Sequence, residues 1–367
     1  YYGKEKKVTN MLLKKIQERI KKSEFDAILL TGLENPAAQK NLQYATNYTG
    51  SFGFAIVGAD YQYFFSDFRY RDQVKLEVPN FTFVEITGGF ISALKGIVEK
   101  ENIQSLAFDK RIRYSEYELY QTLGATLVPM DHFMEDFRVH KTEAEVAKIK
   151  KACEITDQAL SDMLDVLKVG MTERECEIFL KNRMIELGAA GTWERFIVAS
   201  GYRGAMPHGM ATDKVIEQGE MVTFDIGCSY KGYYSDLTRT VSMGQPSEKM
   251  KEIYDVVYEA QRRGVEAAKA GITGKALDAV TRDYITEKGY GEYYKHGTGH
   301  GLGMDVHEEP RVSIVNDKPL ELDACVTVEP GIYISGLGGV RIEDDIILKE
   351  DGCIILNESP KALIIIN

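Results

Sequence analysis

Cysteine is scarce in this sequence: five residues, at 153, 176, 228, 325 and 353, an odd number with no CxxC spacing. That excludes a disulfide framework and leads us to expect reduced thiols in a reducing, cytoplasmic compartment. Long apolar runs are missing as well. No stretch approaches the about 18 consecutive apolar residues of a membrane-crossing helix, so no membrane partner is expected. Tyr1–Asn10 is polar and basic without an apolar core, so no signal peptide is expected. Positive charge is in deficit, with 45 Lys+Arg against 56 Asp+Glu and a formal net charge of -11. Nucleic acid and anionic lipid are therefore poor partners. The HExxH, GxSxG, GxGxxG and GK[ST] patterns are absent, which removes the commonest zinc-protease, serine-hydrolase and phosphate-loop readings.

What is present is enough chain, 367 residues, for about two domains at roughly 100–200 residues each. The first third interleaves helical and β-type patterns. Met11–Ile20, Ser92–Lys100 and Ser115–Leu123 read as helices. Asp26–Thr31, Phe52–Val57, Tyr61–Phe65, Phe81–Ile86 and Ser105–Phe108 read as strands. The alternation predicts an α/β domain over residues 1–135. Nothing in it has catalytic spacing, and Asp67 with Arg69 reads as a surface ion pair.

A second domain, 136–367, is predicted to open near Arg138. Thr142 with Glu145, and Thr172 with Glu175, are capping boxes at the starts of two helices, the first closed by Gly170. β-rich segments follow at 195–199 and 221–243. Two more helices, about 247–270 and 274–288, lead to β segments at 311–315, 324–334 and 339–348. The order of helix, helix and strands thus occurs twice, an internal duplication.

The chemistry concentrates in the second domain. Asp225 lies inside the apolar run Met221–Gly227, Glu329 inside Ala324–Gly331, and Glu343 just before Ile346–Leu348. Burying unpaired carboxylates is costly. Asp236 follows Asp225 across a turn at Lys231–Gly232, and Glu343 follows Glu329 across Gly336, Gly338 and Gly339. Two hairpins would each bring two carboxylates inward. Four converging carboxylates repel one another unless cations compensate them, so one or two divalent metal ions are expected. Of only six histidines, three lie in His296–His307, and the glycines around His300 would let backbone crowd a ligand. One imidazole with four carboxylates favours Mn, Co or Fe, with Zn also able to bind. Two such ions about 3.5 Å apart hold a water of lowered pKa.

In this order these motifs resemble the pita-bread metallopeptidases, in their Xaa-Pro aminopeptidase and prolidase branch. The resemblance rests on Arg138–Glu143, Ser200-Gly201, Pro207–Gly209, Phe224–Gly227, Ser235–Arg239, Gly299–Gly303, Asp305–His307, Val328–Gly331 and Val340–Glu343. It implies a creatinase-type N-terminal domain before a pita-bread catalytic domain. By that resemblance Asp225 would chelate one metal, His300 and Glu329 the other, and Asp236 and Glu343 would bridge them. A metal-bridging hydroxide would attack the scissile carbonyl, with Glu329 as proton shuttle. His208 and His307 would contact the substrate and the tetrahedral intermediate, and His296, Arg341 and Tyr333 would line the proline side. Ser66–Tyr70 approximates the family's Asp-Gly-Arg-Tyr, with Phe68 in place of Gly.

The activity expected is an Xaa-Pro aminopeptidase on peptides with proline at position two, with two metal ions, Mn foremost, in a homodimer. The first alternative is a strict Xaa-Pro dipeptidase, with Arg311 as a candidate for the proline carboxylate. A creatinase-like hydrolase or a non-catalytic binding protein fits less well, because no ligand position is lost.

Overall fold

The computed structural model describes residues 2–32 and 36–367, with side chains for 11–32 and 39–367. The side chains of Tyr1–Asn10, on which the leader expectation rests, lie outside the described residues. The chain forms two compact units, Tyr1–Glu135 and Asp136–Asn367.

In the first unit six strands form one sheet: β1 (Ala27–Thr31), β2 (Phe54–Gly58), β3 (Gln62–Ser66), β4 (Thr82–Glu85), β5 (Ser105–Asp109) and β6 (Thr126–Met130), in the order β4-β3-β2-β1-β5-β6. Every residue of β1 and β2 is buried, which is why these segments read as unbroken apolar runs instead of alternating ones. Leu94 and Ile97 of helix Phe90–Lys100 and Tyr120 of helix Tyr114–Tyr120 pack on Leu29, Phe54, Phe65 and Leu106. Asp67 and Arg69 form an ion pair at 2.7 Å, with Arg69 exposed. Asp67 also caps a 3-10 turn by accepting the Arg69 N–H at 3.0 Å.

The second unit begins with helices Glu143–Val166 and Glu173–Glu186, each opened by a complete capping box, Thr142/Glu145 and Thr172/Glu175. The first helix ends at Val166, four residues before Gly170, whose φ of 95° serves the turn that follows. Strands β7 (Gly191–Thr192), β8 (Ile197–Ser200), β9 (Met221–Ile226), β10 (Cys228–Tyr230), β11 (Tyr233–Tyr234) and β12 (Leu237–Met243) come next. Helices Glu248–Ala267 and Gly274–Glu287 then lead to β13 (Gly299–Gly301), β14 (Glu308–Val312), β15 (Cys325–Val328), β16 (Gly331–Ile334), β17 (Gly338–Arg341), β18 (Asp344–Lys349), β19 (Gly352–Ile355) and β20 (Ile365–Ile366). The sheets are β20-β12-β9-β8, β11-β10-β7, β14-β13-β15-β18-β19 and β16-β17.

The two halves match in detail. Gly170 and Gly271 both take positive φ, two residues before the N-caps Thr172 and Thr273. Gly170 N–H donates to Ile216 O at 3.0 Å and Ile216 N–H returns to Met171 O at 2.8 Å; Gly271 N–H donates to Leu320 O and Leu320 N–H returns to Ile272 O, both at 2.8 Å. Asp225 stands as far beyond Ile216 as Glu329 stands beyond Leu320. The two acids therefore arise at equivalent points of a repeated helix–turn–helix–strand unit.

No helix among the described residues is long and apolar enough to cross a membrane.

Candidate metal centre

Asp225 lies on β9, where its partner across the ladder is Thr238 of β12. The sequence reading set Asp225 and Asp236 across one hairpin. The structure divides that hairpin in two. Lys231 and Gly232, with φ of 49° and 82°, close the short β10–β11 ribbon, and Asp236 falls in the break between β11 and β12. Its N–H donates to Asp345 Oδ2 at 2.8 Å, which fixes the backbone where the strand changes sheet.

Glu329 and Glu343 occupy a corresponding break. Val328 at the end of β15 faces Asp344 at the start of β18, and Gly331 of β16 faces Arg341 of β17. Both acids therefore sit where one ladder stops and another begins. Glu343 is tied to Thr238 by backbone and side chain. Thr327 donates to Glu329 Oε1 at 3.0 Å and accepts the His300 N–H at 3.1 Å.

His300 is the central residue of β13, between β14 and β15. Its flanking glycines are needed by the strands. A Cβ on Gly299 would lie 2.0 Å from Thr327 O, and one on Gly301 would lie 2.3 Å from Glu309 O. His300 Nδ1 faces Gly301 O at 3.1 Å. That leaves Nε2 toward the acids, 3.2 Å from Glu329 Oε1 and 3.6 Å from Asp236 Oδ2. Ligand atoms of Asp236, His300 and Glu343 all lie within 4.8 Å of one another. Asp225 lies near enough to raise both Asp236 and Glu343, and its Oδ2 accepts from Arg341 Nη2.

The electrostatics follow from that crowding. Burial first, then Glu343, Asp225 and their neighbours, push Asp236 well above the ordinary carboxyl range. Burial, Glu329 and Asp225 do the same to Glu343. Burial raises Asp225 too, against the pull of Arg341. Glu329 goes the other way: burial opposes its charge, but His300, His296 and Arg341 outweigh burial and hold it low. Asp225 Oδ1, Asp236 Oδ1 and Glu343 Oε1 are buried without a hydrogen-bond partner. Buried acceptors of that kind need a positive partner. An oxygen-rich set with one imidazole therefore fits hard or borderline divalent ions.

The other predicted residues lie around this cluster. His307 packs its ring 4.2 Å from that of His300, and burial and the neighbouring imidazoles of His300 and His208 lower its pKa. His208 is exposed, on the loop after the 3-10 turn Gly201–Ala205. His296 Nε2 meets the Tyr333 hydroxyl at 2.9 Å, and Arg341 Nη1 donates to the same hydroxyl at 2.8 Å. Arg311 stands apart from these contacts, 71% exposed and 3.8 Å from Glu309.

Asp345 was not singled out by the sequence reading. It is fully buried, accepts from Asp236 N–H and from Cys153 Sγ at 3.3 Å, and is pushed up to about 8, chiefly by burial. Its signal was alternation: in Glu343-Asp-Asp345 the first and third acids share a face, while Asp344 turns to Arg239, Lys361 and Gln261.

The creatinase/prolidase N-terminal domain model matches residues 13–140, and the metallopeptidase family M24 model matches residues 147–350. An Xaa-Pro dipeptidase of Pyrococcus horikoshii is 38% identical, over 97% of this chain and 99% of its own length. An Xaa-Pro dipeptidase structure from Bacillus anthracis superimposes with a TM-score of 0.94 at 42% identity, covering 97% of this chain and 99% of that one. An X-Pro aminopeptidase structure from Thermotoga maritima gives a TM-score of 0.88 at 40% identity, covering 95% and 99%.

Proposed function

Because the chain belongs to metallopeptidase family M24, a family of divalent-metal hydrolases, and carries a creatinase/prolidase N-terminal domain, we propose that it is a dinuclear Xaa-Pro dipeptidase. The sequence alone favoured the aminopeptidase. The balance moves to the dipeptidase because relatives of that name match at nearly full length. The Thermotoga relative keeps the aminopeptidase as the second reading. We assign residues 1–135 to the creatinase-type domain and 136–367 to the catalytic domain.

The observation that carries the proposal is the meeting of Asp236, His300 and Glu343, with Glu329 and Asp225 beside them. These five residues are the proposed ligands, and Mn is the preferred ion. Bound there, two divalent ions would supply Lewis acidity toward the scissile carbonyl and lower the pKa of a shared water. The protein's own contribution is positioning and proton transfer. Glu329, held ionised by His300, His296 and Arg341, accepts the nucleophile's proton and passes it to the leaving proline nitrogen. His307, kept neutral by burial and by the neighbouring imidazoles, contacts the reacting carbonyl together with His208. His296, Tyr333 and Arg341 form one hydrogen-bonded wall for the proline ring. A dipeptide also brings a carboxylate, and Arg311 is the proposed cation for it.

A homodimer is proposed from the family resemblance, and light scattering tests it. A cytoplasmic location is supported by five unpaired cysteines.

The deciding experiment compares hydrolysis of Gly-Pro with that of Gly-Pro-Ala in the presence of Mn. Cleavage of the dipeptide alone is expected; efficient cleavage of the tripeptide would move the assignment to the aminopeptidase.

A further inference from the structure

Asp278 and Arg282 stand one turn apart on helix Gly274–Glu287, Asp278 fully buried. Arg282 donates from Nε to Asp278 Oδ2 at 2.6 Å and from Nη2 to Oδ1 at 2.9 Å. The same guanidinium donates to Tyr294 O at 3.0 Å and to His296 O at 2.6 Å, and its carbon lies 4.3 Å from the centre of the Tyr294 ring. Asp278 Oδ1 in turn accepts the Thr298 N–H at 2.9 Å and the Thr298 hydroxyl at 3.0 Å. The pair therefore grips the backbone before, at and after His296, whose imidazole reaches Tyr333.

The first half of the domain carries a simpler copy of this device. On helix Glu173–Glu186, Lys181 pairs with Glu177 at 3.0 Å, also one turn apart. Glu177 Oε1 accepts the Phe196 N–H at 2.9 Å, and Lys181 donates to Glu194 O. Lys181 also lies 5.3 Å over the Phe196 ring. Glu194 and Phe196 thus take the places of His296 and Thr298. In this half one lysine contact to one carbonyl is sufficient for the fold. The second half uses an arginine, which holds a second carbonyl with its planar fork, and it does so where a proposed substrate residue sits.

The geometry points to Asp278 and Arg282 as a positioning pair that sets His296 against Tyr333 and so shapes the proline-side wall. The inference rests on the peptidase reading for its kinetic consequence. Displacement of a binding group by a fraction of an ångström reduces productive binding without unfolding the protein.

The test uses Arg282→Lys, which imposes the first half's chemistry on the second. The variant is expected to melt with the parent and to bind Mn as the parent does. Its KM for Gly-Pro should rise about tenfold with kcat nearly unchanged, the pattern of lost binding. In a His296→Ala background the same change should have no further effect on KM, because Arg282 acts through that histidine. A penalty that persists in that background overturns the inference, as does a parental KM. A second readout needs no turnover. In histidine-labelled protein the His296 imidazole NMR signals should move in Arg282→Lys while those of His140 stay; unmoved His296 signals overturn the inference. A parent that cleaves no Xaa-Pro substrate would defeat the functional reading, and the NMR comparison would still decide the positioning.

Discussion

Glu343 is bonded twice to Thr238: its N–H donates to the Thr238 carbonyl at 3.1 Å, and its Oε2 accepts the Thr238 hydroxyl at 2.5 Å. Thr238 is also the ladder partner of Asp225. One residue therefore couples an acid of the first half to an acid of the second. Thr238→Val keeps the shape and removes the hydroxyl. Divalent-ion affinity, measured calorimetrically on the metal-stripped protein, should fall roughly 10–100-fold, as it does when an outer hydrogen bond to a ligand is lost. Parental affinity would mean that Thr238 does not orient Glu343.

Asp236 and Glu343 are pushed well above their ordinary range, by burial first and then by neighbouring carboxylates: Glu343 and Asp225 for Asp236, Glu329 and Asp225 for Glu343. Without metal, their ionisation therefore opposes folding at neutral pH. In EDTA, Asp236→Ala should melt no lower than the parent. With Mn, the parent's melting temperature should rise and the variant's should not, because only a bound ion stabilises by mass action. Glu343→Ala should behave alike, and both should lose turnover. A normal Mn-dependent rise in either variant would remove that residue from the proposed ligand set.

Glu308, beside His307, is buried between two cations. Arg138 Nη2 and Lys141 Nζ both pair with it, Lys141 at 2.7 Å. Burial alone would raise its pKa, but Lys141 and Arg138 outweigh burial and hold it below the ordinary 4.5. A depressed carboxyl contributes stability that is full above its unfolded pKa and is lost as pH falls through its folded pKa. Glu308→Gln should therefore cost roughly 3–5 kcal/mol at pH 7, since it takes the carboxylate away from the buried Lys141 ammonium and leaves Arg138 with Asp305. The gap from the parent should narrow below about pH 4.5. Denaturant melts at pH 7 and at low pH check both statements; a gap independent of pH would contradict them.

The His208 loop rests on the β16–β17 hairpin through two glycines. A Cβ on Gly339 would lie 2.2 Å from Gly204 O, a backbone atom that cannot turn aside. Gly339→Ala should destabilise the protein by about 1–3 kcal/mol. It should also lower kcat/KM while Mn content stays parental, because the loop moves and the ligands do not. Parental kinetics with parental stability would show that the contact is not needed.

Much of this architecture was legible in the sequence, and what was not has physical reasons. The capping boxes at Thr142 and Thr172 marked helix starts because their chemistry is local. Asp225, Glu329 and Glu343 were conspicuous because carboxylates within apolar β runs demand an explanation. Register was not legible. A turn at Lys231–Gly232 implied one hairpin, but the change of sheet at Asp236 depends on Asp345, far along the chain. Asp345 was overlooked because an acid next to two others resembles a solvated edge until the strand's facing is known. The Asp278–Arg282 grip was hidden for a plainer reason: an acid and a base one turn apart occur on many exposed helices, and only burial and the carbonyls of residues 294 and 296 distinguish this pair.

Asp225, Asp236, His300, Glu329 and Glu343 are proposed to form one metal-dependent hydrolytic site. Mn titration of the EDTA-treated protein, with Gly-Pro hydrolysis followed at each addition, tests it most directly. No turnover is expected at the start, and recovery should saturate at two ions per chain. Full hydrolysis by the stripped protein, or saturation of binding without any recovery, would contradict it.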